Sequence, residues 1–290
     1  MIEIEQLAAL DLCAWTGSQA EAAVILNSEQ STISRSLHKT KRLLESIGIK
    51  AVPGKKYLFQ DVQDILKSQR KLHQQIRFTQ ARGLRIQATC WARHLLLDPT
   101  PDGWIPNRAA INNFKHRDTQ QLLEQHIIDV ALVTGPDAPP LSEKRYARYH
   151  LSNQPLFLLI PHSNKLALEH GLSPSEVASH TELGHSNFVS KECRAAMEVL
   201  DKQLFGAQDH QPFTSYKEPP NHARRYGTAM TMLIRPDLTR LGVDMRFPAA
   251  DILIVRQEWA DHPEILKLVF ALKTRLADLQ HSIPDLEVMQ

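Results

Sequence analysis

The sequence has little cysteine, no long apolar run and no low-complexity tract, and each absence removes a class of protein. Its three cysteines, Cys13, Cys90 and Cys193, are far apart and never form a Cys-x-x-Cys pair. That spacing speaks against a disulfide framework or a zinc ribbon and for a reducing compartment, the cytoplasm; one bridge plus a free thiol is the alternative. Apolar runs such as Leu156 to Ile160 fall far short of the roughly 20 residues that cross a bilayer. Met1 to Gln6 carry acids and no basic patch, so no secretory signal is legible there. There is no Gly-x-Ser-x-Gly, no Walker loop and no His-Glu-x-x-His, and His180 and His185 stand five apart, which is not a helical metal pair. No enzyme activity, cofactor or metal is expected.

What is present is an ordinary globular composition, 42% hydrophobic and 23% charged, over 290 residues, enough for two or three domains. The net charge of +2 hides an asymmetry. Through Arg82 there are twelve Lys and Arg against eight Asp and Glu; from Leu84 onward there are twenty-two against twenty-four. The densest block is Arg35, Lys39, Lys41, Arg42, Lys50, Lys55 and Lys56, opposed only by Glu45. Such a block suits a phosphate-facing surface, because neutralising phosphates dominates nonspecific DNA affinity. A plain solvated helix face is the other reading.

The first eighty residues give that block a frame. Leu7, Leu10, Cys13 and Ala14 repeat at helical spacing, so Glu3 to Trp15 predicts a helix ended by Gly17. Ser18-Gln19-Ala20-Glu21 has the form of a capping box before a short helix, Gln19 to Leu26. Asn27-Ser28 breaks that helix and offers a new N-cap for a longer one, Glu29 to about Ile47. Ile33, Leu37, Leu44 and Ile47 fall on one of its faces, and Ser31, Arg35, His38 and Arg42 on the opposite one. A short helix, a turn and a longer helix with a basic outer face is the geometry that enters a major groove. Gln30, Ser31, Ser34 and Arg35 would reach base edges; His38, Lys39 and Arg42 lie further along, with Lys39 and Arg42 suited to phosphates. Pro53-Gly54-Lys55-Lys56, between Val52 and Tyr57-Leu58-Phe59, reads as a tight basic hairpin or wing.

These residues resemble the LysR-type transcriptional regulators. Ser18, Ala22, Ala23 and Leu26, the stretch Ser28 to Arg35, and then Glu45 and Gly48 are similar to that family's second helix, recognition helix and the Glu and Gly beyond it. The family's Leu-Phe-x-Arg stretch is here Ile49-Lys50-Ala51-Val52. From Gln60 to about Gln80 there is no Gly or Pro, and Val62, Ile65, Leu72 and Ile76 follow a heptad seam with Gln69 in its middle. A helix lying on its own domain fits that pattern as well as a dimer seam does. The resemblance implies dimerisation there, in a homodimer or homotetramer.

Beyond Gly83 strands and helices alternate, which argues for an α/β sheet with parallel neighbours. Strands are expected at Leu84–Ala88, Arg108–Asn112, Ile127–Val133, Leu156–Ile160, Met230–Ile234 and Asp251–Val255, and helices at Thr119–Gln125, Glu192–Phe205 and Pro263–Leu279. Leu122-Leu123 before Ile128 to Leu132, Pro155 to Pro161 with Leu166-Ala167, and Gly227 to Pro236 look like successive passages of the LysR effector module, itself similar to periplasmic binding proteins.

The resemblance therefore implies a winged helix-turn-helix (1–59), a linker helix (60–83) and a two-lobed effector domain (84–290), with lobes of 84–157 plus 232–290 and of 158–231. It implies promoter DNA as partner, a small-molecule effector, and contact with RNA polymerase. The effector cleft would use Thr89, Cys90, Thr134, Gly135, His185 and Ser186, where helix N-termini favour an anion. A ligand-binding or enzymatic α/β protein with a helical dimerisation cap, the basic helix being incidental, is the competing reading. Sequence-selective, salt-dependent DNA binding separates the two.

Overall fold

A computed structural model gives the fold and describes residues 2–50, 63–88, 92, 95–107, 119–134, 141–183, 185–186, 191–205, 212–213, 223–243, 247–283 and 285–289. The chain divides into two compact units, Met1–Ala88 with Thr100–Ala131, and Thr89–Pro99 with Leu132–Gln290. The boundary expected at residue 83 thus falls inside the first unit, and what holds that unit together explains why.

The first unit opens with α1 (Ile4–Thr16), α2 (Gln19–Ile25) and α3 (Gln30–Ser46). Gly17, at φ +77°, ends α1 and donates its N–H to the Cys13 carbonyl. The repeat Leu7, Leu10, Cys13 and Ala14 marks one stripe of α1 and is buried, yet Ala9, Leu12 and Trp15 are buried as well. Ala9 and Leu12 lie off the Leu7, Leu10, Ala14 stripe, so α1 presents two apolar faces and both are covered. Ser18 caps α2 by accepting from the Glu21 amide at 3.2 Å.

Two details of α3 depart from expectation. Its N-cap is Glu29, without a side-chain cap bond, rather than Ser28. Ile47 is 54% exposed, because the helix stops at Ser46 and Gly48, at φ +83°, turns the chain. Ile49 is buried instead, its N–H reaching back to Leu44. Ile33, Leu37 and Leu44 are buried as expected, joined by Thr40, whose hydroxyl donates to the Ser36 carbonyl.

Helix α4 (Gln63–Gln80) buries Leu66, Arg70, Gln74 and Phe78, one residue per turn, within the same unit. Leu72 and Ile76, on the expected seam, face outward, and Gln69 between them is half-buried. Val62 and the Ile65 side chain lie outside the described residues. The unit is completed by β1 (Leu84–Ala88) paired in parallel with β2 (Trp104–Pro106), and by α5 (Thr119–Glu124). Strand β3 (Val130–Thr134) begins in this unit and ends in the second.

The second unit is organised by β4 (Tyr146–Pro161), sixteen residues where the apolar pattern marked only Leu156–Ile160. Its elements are α6 (Pro174–His180), β5 (Glu182–Leu183), β6 (His185–Ser186), α7 (Lys191–Phe205), β7 (Pro212–Phe213), β8 (Ala223–Gly227), α8 (Ala229–Ile234), β9 (Leu238–Arg240), β10 (Phe247–Arg256), α9 (Pro263–Gln280) and β11 (Glu287–Val288). Strands β8, β9, β10 and β11 all pair antiparallel with β4. Pairing is therefore mixed: β1 with β2, β5 with β8 and β6 with β7 are parallel, as expected. Long β4 and β10 run in opposite directions, which an alternating strand-helix pattern does not reveal.

Leu156, Leu158 and Ile160 pack on one face of β4 and Phe157 and Leu159 on the other. Burial on both faces is what turns strand alternation into a continuous apolar run. The expected strand at Met230–Ile234 is instead α8, a correction that short apolar runs invite, since periodicity alone does not separate strand from helix there. Thr231 accepts from the Thr228 amide at 3.1 Å and starts the helical turn. Gly227 before it lies so close to β4 that a Cβ would stand 2.5 Å from the Leu159 side chain. The strand expected at Arg108–Asn112 falls outside the described residues. No helix among the described residues is long and apolar enough to cross a membrane.

Candidate nucleic-acid interface

The turn from α2 to α3 passes through Asn27 at φ +48°, a conformation that asparagine tolerates better than most residues. It presents α3 with one face against α1 and α2 and the other open. Gln30, Ser31, Arg35, His38, Lys39 and Arg42 are exposed, and Ser34 is half-buried. Their spacing keeps them on one side, so the structure brings together every described residue expected to touch DNA. Lys55 and Lys56 lie outside the described residues.

Local bonds set the directions of these side chains. Arg35 donates through Nε to the Ser31 carbonyl at 3.4 Å and through Nη2 to Thr32 Oγ1 at 3.2 Å, which lays the guanidinium along the helix. Ser31 donates to Glu29 at 3.1 Å. Lys39 stands 3.6 Å from Glu3 and Lys41 3.7 Å from Glu45, both pairs well exposed. Exposed pairs of this kind are worth about 0–1 kcal/mol and exchange readily for phosphate. Arg42 has no carboxylate partner among the described residues. The surface can neutralise several phosphates while offering glutamine, serine and arginine to base edges.

Behind this face lies a buried polar network that sequence reading missed. Asp11 of α1 pairs with Arg70 of α4 at 2.7 Å, and Arg70 also donates to Gln125 at 3.0 Å. Asp129, fully buried, accepts from Arg77 Nε at 2.9 Å and Nη2 at 2.7 Å, from Gln74 at 3.0 Å and from the Arg85 amide at 2.7 Å. Arg85 is buried too and donates to the Ile127 carbonyl at 2.9 Å. Burial, and then the neighbouring Arg77, pull its guanidinium down to about 9. Burial likewise lowers the His73 imidazole on α4.

Of the residues expected around an effector, Thr134 is described in full. It is buried, and its hydroxyl donates to Asp251 on β10. Ser152 and Gln154 of β4 donate to the same carboxylate at 2.5 and 2.8 Å. His185 and Ser186 form β6, paired with β7, while Thr89, Cys90 and Gly135 lie outside the described residues. Asp251, Ser152 and Gln154 escaped the sequence reading. The available signal was an acid opening the apolar run Asp251 to Val255.

Burial raises the Asp251 carboxyl above its ordinary value, against the opposing pull of its Ser152, Thr134 and Gln154 bonds. The folded chain then holds this proton more tightly than the unfolded chain, so the stability it contributes is full below the ordinary Asp range and is lost as pH rises through the elevated value. Relative to Asp251→Asn, which does not titrate, the wild-type melting temperature is expected to fall as pH rises above about 4. Parallel melting curves across that range would mean that the three donors keep the carboxylate ionised throughout.

The second unit has a buried ion pair of its own. Arg224 of β8 donates to Asp201 of α7 at 3.0 and 2.6 Å and to Thr181 Oγ1 at 2.9 Å, with its guanidinium 4.4 Å from the centre of the Phe205 ring. It joins α6, α7 and β8 and offers no exposed chemistry.

No protein-family model matches the sequence, and no curated protein matches it significantly. Solved structures do match the fold. ArgP from Mycobacterium tuberculosis superposes with a TM-score of 0.52 at 14% identity, covering 95% of this chain and 97% of that one. A full-length OxyR variant from Pseudomonas aeruginosa gives 0.54 at 14% identity, covering 95% and 94%. CbnR, a LysR family transcriptional regulator, gives 0.50 at 16% identity in its complex with target DNA, covering 94% and 99%. Helix-turn-helix, linker helix and mixed α/β domain in that order, over nearly the whole length, give this chain the full-length fold of the LysR-type transcriptional regulators.

Proposed function

We propose that the chain is a sequence-specific DNA-binding transcriptional regulator of LysR type, governed by a small-molecule effector bound in its C-terminal α/β domain. The observation that carries this reading is the division of α3 into a buried apolar face and an exposed face of Gln30, Ser31, Arg35, His38, Lys39 and Arg42. Promoter DNA is the partner such a face fits, with Ser34 at its edge and Lys55 and Lys56 as further phosphate contacts. The fold shared with CbnR, solved in complex with its target DNA, supports the same reading.

Dimerisation through α4 is part of the proposal. Leu72 and Ile76 leave an apolar stripe outward, continuous in sequence with Val62, Ile65 and Gln69, and a second copy of the helix would cover it. Thr89, Cys90, Thr134, Gly135, His185 and Ser186 are the proposed surroundings of the effector. An effector that binds one arrangement of subunits better than another would change the spacing of the two α3 helices, which is differential binding and not chemistry.

Fluorescence anisotropy tests the reading with duplex DNA from the promoter-proximal region beside the gene and a shuffled duplex of equal length, each at two salt concentrations. Tighter binding of the native duplex, weakening steeply with salt, is the expected result. Equal weak binding of both would favour a ligand-binding α/β protein with a helical cap.

A further inference from the structure

The burial of α1 on every side from Ala9 to Thr16 raises a question that DNA reading leaves open: what its second face is for. The answer lies in three polar side chains. Trp15, in the last turn of α1 and 1% exposed, donates its indole N–H to Gln87 Oε1 of β1 at 2.8 Å. Asn107, just beyond β2 and buried, donates to the same Gln87 oxygen at 3.2 Å and to the Trp15 carbonyl at 3.3 Å. Its backbone N–H also donates to the Ile86 carbonyl of β1 at 3.2 Å. The closed set ties the C-terminus of the first DNA-side helix to two strands that follow the linker helix in sequence. A helix end has carbonyls without intrahelical partners, and here one of them is met by Asn107 rather than by solvent.

The segment after Trp15 is held as firmly. Thr16 donates to the Leu12 carbonyl at 2.9 Å and accepts from the Ser18 amide at 3.2 Å. A displacement of β1 at Gln87 therefore passes to Trp15, through the Thr16–Ser18 turn to α2, and through packing to α3. Asp11, Arg70 and Gln125 make a second tie between α1, α4 and the end of α5.

We propose that Trp15, Gln87 and Asn107 form a joint that makes the DNA-reading helices and strands β1 and β2 one mechanical body, so that they act as positioning residues for α3. This rests on the regulator reading above and extends it: the headpiece is docked on the first sensor strands of its own chain, and is not a module swinging freely on α4.

Hydrogen exchange on the full-length protein tests it, and binding energy must travel both ways if the joint couples the two parts. In the free protein, amides of α2, β1 and β2 are expected to exchange through a common opening. Trp15→Phe, which keeps the ring and removes the donor, speeds all three together; Gln87→Met does the same, and Gln87→Glu, which retains the acceptor, restores slow exchange. Acceleration confined to α1 and α2 in both variants would overturn the joint, whether or not the protein binds DNA. With the native promoter duplex added, β1 and β2 are expected to gain protection although they lie off the DNA face, and Trp15→Phe to lose that gain while α3 stays protected. Protection of α3 without β1 and β2 in the wild type would overturn the joint and leave the regulator reading intact. Absence of α3 protection would instead remove the regulator reading, and the free-protein comparison would still decide the joint.

Discussion

Asp129→Ala is expected to destabilise the first compact unit by about 3–5 kcal/mol, more than any surface change in the protein. The carboxylate is fully buried and satisfies four donors, two on Arg77, one on Gln74 and the backbone N–H of Arg85. Removing it strands a guanidinium whose side chain is only 11% exposed, and it also orphans an amide inside β1. Most of the loss is the cost of leaving those donors dry, not the worth of the pair, whose formation itself required desolvating both charges. Asp129→Asn, which keeps the shape and part of the accepting capacity, should cost less. Urea denaturation followed by tryptophan fluorescence checks this, since Trp15 lies in the same unit. A loss below about 1 kcal/mol would mean that water enters and replaces the carboxylate.

The same network shows where reading the sequence reaches its limit. The helix-turn-helix is legible because its information is local: the faces of α3 differ in polarity over four turns, and Gly17, Ser18 and Gly48 mark ends that the backbone obeys. Asp11, Arg70, Arg77, Arg85 and Asp129 carry no such signal. Each looks like an ordinary surface charge, and their pairing is decided by partners 52 and 59 residues away in sequence. The pattern on α4 is legible in one half only. Its outward stripe of Leu72 and Ile76 follows the heptad, while the inward stripe alternates Leu66 and Phe78 with Arg70 and Gln74, which hydropathy reads as solvent-facing.

In the second unit the apolar half of β4 is visible, but the half from Tyr146 to Gln154 is hidden by its Arg, His, Ser and Asn residues. Thr134 was legible as a polar residue after a strand; its partner Asp251 was not, because only the fold brings β3, β4 and β10 together. Helix α8 at Met230 shows the converse failure, an apolar run whose local pattern fits two structures equally.

Arg35→Ala is expected to weaken binding to the specific site by about 1–3 kcal/mol, or about 5–150-fold. Arg35 is exposed near the start of α3, and its bonds to Ser31 and Thr32 are long and made within its own helix. Little stability depends on them, so the folded protein should be unchanged and the loss should appear in binding alone. The guanidinium must leave these partners to reach a guanine edge, where two short parallel bonds replace two long ones. Because the wrong base offers no such pair, the loss should be larger on the native duplex than on its shuffled control, and the two affinities should converge. Arg42→Ala is the matched comparison. It lies two turns further along the same face, and its removal should weaken both duplexes alike and reduce the salt slope by about one. If Arg35→Ala instead weakened both duplexes equally, the N-terminal end of α3 would be lying against phosphates, and base readout would have to be sought further along the helix, at His38 and beyond.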